Sequence, residues 1–163
     1  MRALVLPILF LLALVQGCDA WETKKEISRS LGIDVSCGEI MDVWDTHGGF
    51  HGDGFSVVTL QDPEGCIYAE ILGSGQWRSF PLSGSVMTLL YGMAEEGPHE
   101  GRTSGDALPI PRVTNGCWYF RDRHYECTDP GNDSMLFARA SINCTVAVYD
   151  MDTGTLYYME YDT

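Results

Sequence analysis

The chain predicts an α+β fold: an antiparallel sheet of about five strands with two or three helices packed on one face. Three observations predict it. β-rich runs follow one another across Gly- and Asp-rich turns, as hairpins do. Short amphipathic stretches with helix-start and helix-stop residues stand between them. No regular βαβα alternation and no internal repeat is present.

The N-terminus stands apart from this domain. Residues 1–18, MRALVLPILFLLALVQGC, hold one charge, Arg2, then an apolar run from Ala3 to Val15, then Gly17 and Cys18. The run is shorter than the roughly 20 apolar residues that a membrane-spanning helix needs. It reads as a cleavable export signal. Two cleavage routes fit. Signal peptidase I would cut near Ala20. Alternatively, Val15-Gln16-Gly17-Cys18 resembles a lipobox, with Val15 where Leu is usual and a large Gln16; Cys18 would then be acylated and tether the protein to a membrane, each buried CH₂ contributing about 0.8 kcal/mol. Residues 19–25 are then a spacer, and residues 26–163 a single domain.

The elements follow in order. Residues 22–31, ETKKEISRSL, place Ile27 and Leu31 four apart and are stopped by Gly32, which predicts a short amphipathic helix. Residues 37–46 predict a strand with Ile40, Val43 and Trp44 toward the core. Residues 55–60, FSVVTL, predict its hairpin partner. Asp62-Pro63-Glu64 predicts a helix start with Asp62 as N-cap and Pro63 in the first turn. Ile67, Ile71 and Leu72 form its apolar face, and Gly73 and Gly75 end it. Residues 76–82 read as a loop anchored by Trp77 and Phe80. Residues 85–91, SVMTLLY, fit either helix or strand. Residues 95–111 read as a long surface loop, and residues 116–124 as a strand. The runs 138–149 and 155–161 read as strands joined by an Asp- and Gly-bearing turn, with Tyr157 and Tyr158 on opposite faces.

Composition narrows the function. The formal net charge is −13, and removal of Arg2 with the signal makes it about one unit more negative. Such a domain repels phosphate backbones, so no nucleic-acid partner is expected. Removing residues 1–17 from 163 leaves 146, enough for one real core. Besides Cys18, the cysteines are Cys37, Cys66, Cys117, Cys127 and Cys144. With Cys18 acylated, at least one of the five stays unpaired. Export permits disulfides. Cys117 and Cys144 lie in apolar runs and fit the core as small residues.

The least ordinary stretch is residues 45–54, DTHGGFHGDG. His47, His51 and Asp53 are competent ligands for zinc, and with them His124 completes a candidate metal set. Asp45 and Asp122 are candidate ligand-binding residues beside it. The Gly-rich stretch is a poor helix, so the two-His logic of HExxH does not apply. A hairpin loop of turn formers is the alternative reading of the same residues. Residues 121–126, RDRHYE, place Arg121, Arg123 and Tyr125 on one strand face and Asp122, His124 and Glu126 on the other. If this strand ends near the His47 loop, Asp122 and His124 join the set.

No catalytic residues are identified. There is no CxxC, no GxSxG elbow, and Cys127 and His124 would face opposite ways on one strand. The segments LGID (31–34), DTHGGFHGDG (45–54), DRH (122–124), TDP (128–130) and AVYDMDTGTLYYMEYDT (147–163) resemble a group of small predicted lipoproteins of gut Firmicutes. The resemblance implies an envelope location and a shared fold, and brings no chemistry. The expectation is a lipid-anchored, extracytoplasmic domain that binds an envelope or extracellular partner without catalysis. Two alternatives stand beside it. One is a metal-binding protein or metal-dependent hydrolase using His47, His51 and Asp53. The other is an acidic inhibitor or immunity-type protein presenting a loop such as residues 95–106 to a basic partner.

Overall fold

The computed structural model describes residues 20–48, 52–92 and 108–163. Helix α1 covers residues 20–31. Then come β1 (Glu39–Asp45), β2 (Gly54–Gln61), α2 (Cys66–Ser74), β3 (Arg78–Ser79), α3 (Gly84–Leu90), β4 (Gly116–Asp122), β5 (Asn143–Asp150) and β6 (Thr155–Asp162). The strands form one sheet in the order β1-β2-β6-β5-β4-β3, and every neighbouring pair is antiparallel. The α+β class is as expected. The sheet has six strands rather than about five, because the stretch read as a loop after α2 contributes the two-residue β3 on an edge.

The helices divide between the two sheet faces rather than sharing one. On one face, Val57, Met159, Val146, Val148, Trp118 and Phe120 pack with Val86, Leu89 and Leu90 of α3. On the other, Val58, Leu60, Tyr158, Ala147 and Tyr149 pack with Ile27 and Leu31 of α1 and with Ile67 and Ile71 of α2. The reason lies in β5: six consecutive residues, Cys144 to Tyr149, are buried. A strand apolar at both parities needs cover on both sides. Tyr157 and Tyr158 do point to opposite cores.

Local details depart from the expected pattern for identifiable reasons. α1 begins by residue 20, so residues 20–25 of the expected spacer are helical. In β1, Met41 is an extra residue between Ile40, opposite Leu60, and Asp42, opposite Thr59. This bulge resets the alternation and sets Val43 opposite Val58, on the same face as Ile40, where on the edge strand it is 57% exposed rather than buried. α2 starts at Cys66, not at Pro63. Its N-cap is Gly65 at φ 72°, a left-handed conformation that glycine adopts without a Cβ clash. Asp62 still receives a helix-end amide, from Tyr68 at 3.0 Å. Leu72 lies on the solvent side of this helix and is 68% exposed. Residues 84–90 resolve as helix, with Ser83 Oγ accepting from Val86 N at 3.1 Å as a standard N-cap.

Residues 1–18 with Cys18, His51 of the Gly-rich loop, and the acidic loop 95–106 lie outside the described residues. Among the described residues, no helix is long and apolar enough to cross a membrane.

Candidate functional site: the two ends of the sheet

Antiparallel pairing gathers five strand ends at one end of the sheet. β1 finishes there at Asp45, β2 starts at Gly54, β6 finishes at Asp162, β5 starts at Asn143 and β4 finishes at Asp122. Polar residues at strand ends therefore become neighbours although the sequence separates them widely.

His47 sits at the centre of the first group. Its backbone N–H donates to Asp45 Oδ1 at 2.8 Å, and its Nδ1 lies 2.7 Å from the same oxygen. Its Nε2 lies 3.5 Å from Asp162 Oδ2. Arg123 closes the chain, 3.0 Å from Asp162 Oδ1. The His47 amide, then its ring, hold the Asp45 carboxyl below its ordinary value against the small opposing effect of burial. Burial, the largest single effect, works against the charge on Arg123, but the hydrogen bond to Asp162 and the nearby charges of Glu160 and Asp162 together outweigh it and raise the guanidinium. Both nitrogens of His47 thus face carboxylates.

Asp122 anchors a second group. It is 5% exposed and pairs with Arg139. Its Oδ1 also accepts the His124 amide at 2.9 Å, a turn that ends β4. The strand alternation expected over residues 121–126 therefore stops at Asp122. His124 is half-buried, stacks on Tyr125 with ring centroids 4.7 Å apart, and accepts the Glu126 amide on Nδ1 at 3.3 Å. Burial pushes the Asp122 carboxyl up, but the bonds from Arg139 and the His124 amide more than offset this, and the net shift is downward.

Asp122 and Arg139 form the base of a cavity of about 300 Å³, with Glu126, Cys127, Asp129 and Met135 on its walls. Arg139 Nε is buried there with no hydrogen-bond partner among the described residues. The loop around this cavity exposes large apolar side chains: Tyr125 at 87%, Met135 at 57% and Phe137 at 46%.

The opposite end of the sheet holds a different cluster. Cys37, in the turn before β1, and Cys66, the first residue of α2, form a disulfide with Cα atoms 6.6 Å apart. Asp62 is 4% exposed beside it. Tyr149 Oη donates to Asp62 Oδ2 at 2.9 Å, and the Tyr68 amide reaches the same oxygen. Oδ1 points to Cys66 Sγ, 3.3 Å away. Burial, then the bond to Asp62, raises the Tyr149 phenol.

The expected metal set does not assemble from the described residues. Their sole group of three His, Cys, Asp or Glu ligand atoms within 4.8 Å of one another is Cys37, Asp62 and Cys66, whose sulfurs are joined. His47, Asp53 and His124 are not in such a group; a set including His51 lies outside the described residues. Asp45 joins His47, and Asp122 joins His124, as two separate clusters on one end of the sheet. Sequence reading missed Asp162, Arg123 and Arg139, which knit that end together. It also gave Asp62 only a capping role. Spacing carried no signal for the pairs of the first end: Asp162 and Arg123 meet through strand pairing, and Arg139 reaches Asp122 from the segment between β4 and β5. Cys117 and Cys144 are buried thiols as expected, pushed up by burial to about 11 and about 12. Comparison with protein-family models, curated proteins and solved structures yields no match.

Proposed function

We propose that this protein is an exported, membrane-anchored domain that works by binding a partner through the Asp122–Arg139 end of its sheet. The observation that carries the binding reading is the cavity over that pair, set in a loop that exposes Tyr125, Met135 and Phe137. Exposed aromatic and Met side chains beside a polar floor are what interfaces use as anchors. Arg139 Nε, buried and without a hydrogen-bond partner among the described residues, is a donor that a carboxylate or carbonyl entering the cavity would satisfy. Export is supported by the Cys37–Cys66 disulfide, a bond that persists in oxidising compartments. Anchoring rests on the Val15–Cys18 lipobox.

The test is in-cell crosslinking of the full-length, C-terminally tagged protein, wild type against Met135→Asp/Phe137→Asp. A crosslinked partner present with the wild type and lost with the variant is expected, with both proteins folded by circular dichroism. Identical crosslinked products from both would remove this face as the binding site. Mass spectrometry of the N-terminal peptide should find Cys18 acylated; an unmodified Cys18 would end the anchoring reading.

A further inference from the structure

The disulfide end of the sheet, away from the proposed binding face, carries its own chemistry. Three features of the Cys37–Cys66 pair are unlike those of a bond kept only for stability. The first is asymmetry of access. Cys37 is exposed in a turn, whereas Cys66 is half-buried. An outside thiol therefore meets Cys37 Sγ first. The second is the position of Cys66 at the first residue of α2, a nine-residue helix, whose N-terminal end favours the negative charge that gathers on Cys66 Sγ as the bond breaks, before Asp62 favours its protonation. The third, independent of the helix, is Asp62. Among the described residues, its hydrogen-bond donors, Tyr149 Oη and the Tyr68 amide, go to Oδ2, and Oδ1 faces only Cys66 Sγ. A disulfide sulfur has no proton to give, so the oxidised pair leaves a buried carboxylate oxygen without that donor. A Cys66 thiol would supply it.

We propose that Cys37–Cys66 is a thiol–disulfide exchange site that accepts electrons from a dithiol, with Asp62 as the group that stabilises the reduced form. A thiolate of the dithiol attacks Cys37 Sγ. A bond forms between those sulfurs, the Cys37–Cys66 bond breaks, and its electron pair leaves on Cys66 Sγ at the helix end. Cys66 takes a proton from solvent and donates the new S–H to Asp62 Oδ1. The second thiol of the dithiol, losing its proton, then attacks its own sulfur in the mixed disulfide. Cys37 leaves as thiolate and is protonated by solvent. The dithiol ends as a disulfide, having lost two electrons and two protons, and the cysteine pair has gained both. The flanking backbone stays in place, because Val35 and Ile67 are fully buried on either side.

The test equilibrates the folded, full-length protein against graded ratios of reduced to oxidised dithiothreitol, with the Cys37–Cys66 pair read by alkylation and peptide mass spectrometry. The wild-type pair should reduce without denaturant. In Asp62→Asn, the amide nitrogen can face the sulfur in either redox state, so the equilibrium should move about tenfold toward the disulfide, the worth of one hydrogen bond to a charged group. Two single-cysteine variants separate exchange from mere stability. Cys37 in Cys66→Ser should form a mixed disulfide with oxidised glutathione at least tenfold faster than Cys66 in Cys37→Ser. A wild-type bond that opens only on unfolding would overturn the proposal. So would an Asp62→Asn equilibrium within twofold of wild type, or equal reactivity of the two cysteines.

Discussion

The Asp122 carboxylate depends on Arg139. It is nearly inaccessible, and the guanidinium that faces it is the largest of the effects lowering its pKa. Arg139→Met leaves that charge buried and unpaired, and is expected to cost about 3 kcal/mol in urea unfolding. Asp122→Asn/Arg139→Met should recover part of the loss. The pair also sets an acid limit. Because the folded pKa lies below the unfolded value of about 3.9, its stabilisation is complete above that pH and is lost as pH falls through the folded value. Acid titrations of wild type and Arg139→Met should converge at the bottom of that window. Residues of this kind were half legible in the sequence. Burial of Cys117 and Cys144 followed from their apolar neighbours, and the oddness of residues 45–54 from composition. The partners were not legible, because Asp162 meets His47 and Arg123 only through the pairing of β6 with β2 and β5.

Among the elements, the hairpins were the most readable. The β1–β2 and β5–β6 pairs follow from alternation and turn residues. Helix starts were less so, because Gly65 in a left-handed conformation takes the cap that Asp62-Pro63 advertises. β4 shows what packing adds to propensity. A Cβ on Gly116 would lie 1.9 Å from the Tyr149 carbonyl oxygen, across the β4–β5 ladder. Gly116→Ala must push those strands apart, and a loss of about 2–3 kcal/mol is expected. Gly73, inside α2, has no atom within 4 Å of its would-be Cβ. Gly73→Ala should instead stabilise by about 0.5–1 kcal/mol. Opposite shifts of the urea midpoint would check both; equal shifts would contradict the packing assigned to β4.

For the whole molecule, the class of fold was legible and the layering was not. The reading placed the helices on one face. The continuous apolar runs of β4 and β5 were the available signal that both faces are covered. The Cys37–Cys66 link ties α1 and the β1–β2 hairpin to α2 across a separation of 29 residues. On chain-entropy grounds, Cys37→Ser/Cys66→Ser should lower stability by about 3.5 kcal/mol, read from urea denaturation in the absence of reductant. A loss under 1 kcal/mol would mean that the packing of Val35 and Ile67 already confines the loop. The sheet's two borders also differ. β3 is a two-residue stub, whereas β1 runs seven residues with Met41 and Val43 open to solvent. A flat seven-residue border of that kind is a template on which further copies can stack into fibrils. The extra residue at Met41 kinks this one, and Glu39, Asp42 and Asp45 set like charges along it. The same local irregularity that upset a simple alternation rule for this strand thus works against stacking along the protein's own margin.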